Sequence, residues 1–114
     1  MTMEVLFAGV RVRNLAAAID WYGRLFDRPA DVVPNEHEAM WRVANGGWLF
    51  IVEDAERAGK CLVTIAVDDL DTLVAELASR ELKMGPIEAV GTAGRKAKTK
   101  DPDGNSVELI EVAR

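Results

Sequence analysis

The sequence predicts an α+β fold in which one chain of 114 residues holds two βαβββ modules. A strand-then-helix pattern occurs twice at a spacing of 55 residues: Val12, Leu15, Ile19 and Tyr22 in the first copy match Val67, Leu70, Val74 and Leu77 in the second. Each copy is followed by strand-length segments joined at tight-turn signals, Asn45-Gly46-Gly47 in the first half and Asp101-Pro102-Asp103-Gly104 in the second. A repeat at fixed spacing makes the halves equivalent units. Neither is large enough to bury a core alone, so the two are expected to pack into a single domain, with modules at about 1–58 and 59–114.

The first module opens on a β-rich segment from Val5 to Val12. Asn14 then offers an oxygen to the free amides of a helix, and Leu15, Ala18, Ile19, Tyr22, Leu25 and Phe26 follow at helical spacing as its buried stripe. Pro29 is expected to end that helix, and a loop to run through Pro34. His37 to Ala44 and Trp48 to Glu53 read as a hairpin, because Asn and Gly both tolerate the positive φ of a tight turn.

Asp54 to Lys60 is a polar connector, after which the pattern restarts. Cys61 to Val67 reads as a strand, Asp68 or Asp69 as a cap, and Leu70, Leu73, Val74, Leu77 and Ala78 as the second helical stripe, terminated by Gly85-Pro86. Arg95 to Lys100 and Asn105 to Val112 form the last hairpin, with Pro102 at the first corner and Gly104 in the left-handed position.

Composition removes several function classes. A net charge of −5 opposes nucleic-acid binding, which needs a positive field. Hydrophobic content of 49% with 29% charged residues fits a folded protein in water. The longest apolar runs, Trp48 to Val52 and Leu62 to Val67, are strand-length, so no membrane span is expected. The start lacks the basic stretch and apolar core of a secretory signal, and the one cysteine, Cys61, has no partner for a disulfide. A cytoplasmic setting is the expectation.

The βαβββ order, the phrase Asn14-Leu15 with Ile19-Asp20-Trp21-Tyr22 and Leu25-Phe26, and the closing run Asp101-Pro102-Asp103-Gly104-Asn105-Ser106-Val107-Glu108-Leu109 resemble the vicinal oxygen chelate superfamily. This is the group of glyoxalases, extradiol dioxygenases, fosfomycin-resistance transferases and bleomycin-resistance proteins. The resemblance implies two sheets curled into a cup, with short chains commonly paired as homodimers. It also implies, in metal-dependent members, a ligand on the first strand and a carboxylate on the last strand of each module.

On this sequence the first-strand positions fall on Phe7 and Leu62, which are themselves 55 residues apart and carry no donor atom. Glu108 stands at the last-strand position of the second module, and its counterpart is Ile51 or Glu53, depending on how the strands are aligned. Two carboxylates without a neutral partner make a poor transition-metal site. Neither a metal nor another cofactor is therefore expected.

If Asp101 pairs with Asn105, then Lys98 faces Glu108 and is expected to neutralise it where a metal would otherwise stand. Alternation extends the same face to Phe7, Gly9 and Arg11, to Leu49, Ile51 and Glu53, and to Leu62, Thr64 and Ala66. The expected ligand-binding residues are thus Phe7, Arg11, Leu49, Ile51, Glu53, Leu62, Thr64, Lys98 and Glu108. Trp41 joins them as a residue able to stack on a planar ligand, although cross-strand packing with Trp48 is a sufficient explanation for it. The other reading of Lys96, Lys98, Lys100 and Arg11 is a solvated sheet edge.

His37, the one histidine, lacks a partner at catalytic spacing and reads as a rim residue, Cys61 as an inert small side chain, and Trp21 as a dimer contact. No catalytic residue is assigned. The leading expectation is a metal-independent, homodimeric protein that holds a small organic molecule, anionic or polar, in its cup. Two alternatives stand beside it. One is a glyoxalase-type lyase, isomerase or dioxygenase using Glu108 and Glu53 with a metal completed by water or a partner chain. The other is an interaction module whose cup is filled by side chains.

Overall fold

The computed structural model describes residues 1–113. The first module runs β1 (Leu6–Val12), α1 (Leu15–Phe26), β2 (Val32–Asn35), β3 (Glu38–Ala44) and β4 (Gly47–Glu53). The second runs β5 (Leu62–Ala66), α2 (Leu70–Ser79), β6 (Glu88–Val90), β7 (Gly94–Lys100) and β8 (Ser106–Val112). Each forms a four-stranded sheet of the same order, β1-β4-β3-β2 and β5-β8-β7-β6, with its first strand on an edge, parallel to its last. Two βαβββ modules are therefore present.

Both helices start as the sequence indicates and end earlier. Asn14 accepts from Ala17 N–H at 3.0 Å, and Asp69 from Thr72 N–H at 3.1 Å. The first helix stops at Phe26 because Asp27 turns left-handed at φ 58°, two residues before Pro29. The second stops at Ser79, well short of Gly85, and its expected stripe residue Ala78 is exposed. Two short strands, β2 and β6, complete the βαβββ order in segments that the sequence alone does not mark as strands. Pro34 in β2 is tolerated because the strand lies on a sheet edge.

A second capping group comes from the last strand of each module. Glu53 accepts from Leu15 N–H at 3.4 Å and Glu111 from Leu70 N–H at 2.9 Å, each satisfying an amide the helix itself leaves free. That backbone bond, and then Arg95 at 2.9 Å, hold the Glu111 carboxyl below the usual glutamate range. A depressed carboxyl stabilises the fold above its unfolded pKa and loses that contribution as pH falls through its folded pKa. Glu111→Gln is accordingly expected to be less stable than the parent at neutral pH, with the gap closing in acid. Denaturant melts at pH 7 and pH 3 check this, and a gap that widens in acid contradicts it.

One hydrophobic core joins the modules, including Val10, Tyr22, Trp41 and Ile51 from the first and Leu70, Leu77, Ala97 and Leu109 from the second. The sides of the sheets that carry the helices contribute these residues. At the seam between the sheets, Leu6, Ala8, Val43 and Leu49 line a pocket of about 140 Å³ together with Val63 and Ile65, and Trp48 and Thr64 stand at its border. The helix-bearing sides of the two sheets thus lie toward each other, and their other faces point outward.

A buried polar cluster crosses the module boundary. Asp101 Oδ2 accepts from Tyr22 Oη–H at 2.9 Å and from Asn105 Nδ2–H at 2.8 Å, while Asp101 Oδ1 accepts from the amides of Asp103 and Asn105. Asn105 also donates to Arg11 O and accepts from Cys61 N–H, both at 2.9 Å. Burial, and then the neighbouring Asp101 carboxylate, push the Tyr22 phenol far above its ordinary pKa, so it remains a donor.

Candidate functional site

The outward face of the first sheet is set by the phase of β1 and β4. Val10 and Val12 are fully buried under α1, which turns Phe7, Gly9 and Arg11 outward. In register with them on β4 stand Trp48, Phe50 and Val52. Phe7 and Trp48 stack with ring centroids 6.2 Å apart and planes at 27°. The Phe50 ring lies over Gly9 so closely that a Cβ there would come within 2.5 Å of Phe50 Cζ. The first face is an aromatic platform resting on a glycine.

This corrects the expectations for Leu49, Ile51, Glu53 and Trp41, and burial corrects that for Trp21. Leu49 and Ile51 are buried on the opposite side of β4, toward α1, and Leu49 reaches only the inner pocket beside Val63 and Ile65. Glu53 shares their side and caps α1, with His37 Nδ1 at 3.7 Å from its carboxylate. Trp41 is fully buried, packed on Tyr22 and Phe26, and donates from Nε1 to Arg28 O at 3.1 Å. It cannot stack on a ligand, nor on Trp48, because the two tryptophans project from opposite sides of their hairpin. Trp21 is buried against Tyr22 with centroids 4.7 Å apart, so it is core and not a contact surface.

The outward face of the second sheet follows the expected register. Lys98 pairs with Glu108, Thr99 with Val107 and Lys100 with Ser106, while Ala97, Val107 and Leu109 pack inward. Leu62 and Thr64 on β5 join the outward side, and Thr64 Oγ1–H donates to Glu108 Oε2 at 3.2 Å. The cation beside Glu108, however, is Lys96 Nζ at 4.0 Å. Lys98, expected to neutralise this carboxylate, makes no ion pair among the described residues.

Nor do Lys96 and Lys98 guard a bare strand edge. β7 pairs with β6 from Gly94 to Lys96, and Lys98 O accepts from Gly85 N–H at 2.7 Å. The structure thus brings together Phe7 and, four residues along the same strand, Arg11 on one face, with Leu62, Thr64, Lys98 and Glu108 on the other. It leaves Leu49, Ile51, Glu53 and Trp41 behind both.

Sequence reasoning missed Trp48 and Phe50. Their signal lies in strand pairing. Phe7 and Leu62 are 55 residues apart, but their parallel partners Trp48 and Ser106 are 58 apart, so the last strands are offset by three more residues than the first. With that offset the counterpart of Glu108 is Phe50, and the counterpart of the capping Glu111 is Glu53.

Phe7 is 53% exposed and Leu62 65% exposed, so neither face is covered within the chain. A depression of about 470 Å³ lies elsewhere, at the C-terminal end of α1. Its arginines Arg24, Arg28 and Arg80 are each within 4 Å of an aspartate, at 3.0, 3.2 and 3.8 Å respectively.

The chain belongs to the Glyoxalase/Bleomycin resistance protein/Dioxygenase superfamily, whose model matches residues 5–109. Among solved structures it is similar to a glyoxalase/bleomycin resistance protein from Catenulispora acidiphila DSM 44928, with 35% identity, a TM-score of 0.90 and coverage of 96% of this chain and 99% of that one. TnmS3, an antibiotic binding protein from Streptomyces sp. CB03234, shares the fold at 23% identity and a TM-score of 0.79, covering 96% of this chain and 95% of its own. So does lactoylglutathione lyase from Agrobacterium tumefaciens, at 18% identity and a TM-score of 0.73, covering 94% and 92%. The last two likenesses concern architecture alone. No match was found among curated proteins.

Metal-dependent members of the superfamily hold their ion at four strand positions. The four corresponding positions hold Phe7, Phe50, Leu62 and Glu108, and Glu108 already engages Thr64 and Lys96. No cluster of three or more His, Cys, Asp or Glu able to hold a metal occurs among the described residues. One carboxylate beside three hydrocarbon side chains does not fit a divalent ion.

Proposed function

We infer that this protein binds a small organic molecule without a metal, in a cup completed by a second copy of the chain. The observation that supports it best is the identity of the residues at the four chelating positions, where three donors are replaced by Phe7, Phe50 and Leu62. Such a surface binds by burying apolar area, at about 25 cal/mol per Å² removed from water, with few polar groups to orient the ligand.

A second copy is called for by the edge strands. Val5 just before β1, Leu6 and Phe7 on β1, and Leu62 on β5 are large apolar residues left exposed, Leu6 at 71%. Setting β1 of one chain beside β5 of its partner buries both strips twice through one two-fold axis. It also faces the aromatic platform of one chain with the lysine-bearing sheet of the other. The antibiotic-binding relative TnmS3 lends the binding reading support at the level of architecture.

Native mass spectrometry combined with metal analysis of freshly purified protein tests this reading. A dimer without stoichiometric divalent metal, able to take up organic ligands, is the expected result. A divalent ion at one per chain that depends on Glu108, or a strict monomer, overturns it.

A further inference from the structure

The two outward faces differ in chemistry, and the difference specifies what fits between them. On the first sheet Phe7 and Trp48 present stacked rings, with Phe50 pressed onto Gly9 behind them. Aromatic platforms favour flat, polarisable partners, which keep offset-stacked geometry with little loss of conformational freedom.

On the second sheet Lys98 and Lys100 project from the same side as Glu108 and make no ion pair among the described residues, whereas Lys96 lies 4.0 Å from Glu108. Lys60 and Lys83 also make no ion pair among the described residues, but Lys98 and Lys100 alone place two such cations on one side of one strand. The edge of β7 at Lys98 is closed by Gly85, so protection of a bare strand does not explain that residue. Leu62 and Ile110 lie beside the lysines on the same face, and an apolar surround raises the worth of a charge contact by excluding water.

We propose that the occupant is a planar aromatic anion, an arene bearing a carboxylate or an ionised phenol, with its ring on Phe7 and Trp48 of one chain and its charge on Lys98 and Lys100 of the other. This rests on the binding function inferred above and adds the ligand class. Lysines act as point charges and do not fork around a phosphate as arginines do, which suits the compact charge of a carboxylate or phenolate. Each ligand spans both chains, so each cup draws its ring wall and its charge wall from different molecules.

The test uses 2-naphthoate, uncharged 2-naphthamide and non-aromatic cyclohexanecarboxylate as probes, read by calorimetry and by quenching of tryptophan fluorescence. Naphthoate is expected to bind, with naphthamide and cyclohexanecarboxylate each weaker by about tenfold or more, the size of one well-placed contact. Lys98→Met with Lys100→Met should weaken naphthoate by a similar factor and leave naphthamide unchanged. Both lysines are exposed, so thermal melts of this variant should match the parent. Equal binding of naphthoate and naphthamide, an unaffected lysine variant, or preference for cyclohexanecarboxylate overturns the aromatic anion.

A mixed dimer separates that failure from failure of the shared cup. One chain carries Trp48→Leu, and the other carries Lys98→Met with Lys100→Met. If cups form across chains, one cup holds both lesions and the other is intact, so half of the parent's naphthoate sites survive at parental affinity. If no intact site survives, the cup lies within one chain and the inferred function fails with it.

Discussion

Asn105→Ala is expected to destabilise the fold by roughly 3–5 kcal/mol, the sum of several buried groups left without partners. The carboxamide is fully buried and serves Cys61 N–H, Arg11 O and Asp101 Oδ2 simultaneously, so its removal orphans groups in both modules. For a domain whose total stability is of order 5–15 kcal/mol, this is a large fraction. Thermal melts are the check, and a midpoint within about 3 °C of the parent would show that the cluster is not what ties the modules. Tyr22→Phe, which removes one donor from the same Asp101 oxygen, should cost about 1–2 kcal/mol.

The second large effect separates two tryptophans on one hairpin. Trp41→Ala should cost about 3–5 kcal/mol, because it empties a fully buried site between Tyr22 and Phe26 and strands the carbonyl of Arg28. Trp48→Leu should cost about 1 kcal/mol or less, since its ring lies on the partly open outward face. Urea titrations of both variants decide the matter. Comparable losses would mean that the assigned phase of β3 and β4 is wrong, and with it the aromatic platform.

The fold was legible in the sequence wherever a local signal had a single meaning. Asn14 and Asp69 each precede a helical stripe, the 55-residue repeat ties β1 and α1 to β5 and α2, and Asp101 to Asn105 closes a three-residue loop that fixes Lys98 opposite Glu108. Phase was illegible in β4, because Trp48, Leu49, Phe50, Ile51 and Val52 are apolar on both sides and alternation marks neither as inner. The repeat then misdirected the reading, since its spacing lengthens by three residues before the last strand. The cluster of Tyr22, Asp101 and Asn105 had no local signal at all, because its partners lie 79 positions apart. Lys96 won the carboxylate from Lys98 because a long side chain reaches diagonally as readily as straight across.

The ring of Phe50 resting on Gly9 has a corollary for redesign. A variant given a chelating quartet must replace three hydrocarbon residues, and the exchange at Phe50 strips the cover from the backbone of Gly9 before any ion can compensate. If the cup binds an organic molecule as proposed, each single exchange toward that quartet removes apolar contact before enough ligands are present to hold an ion.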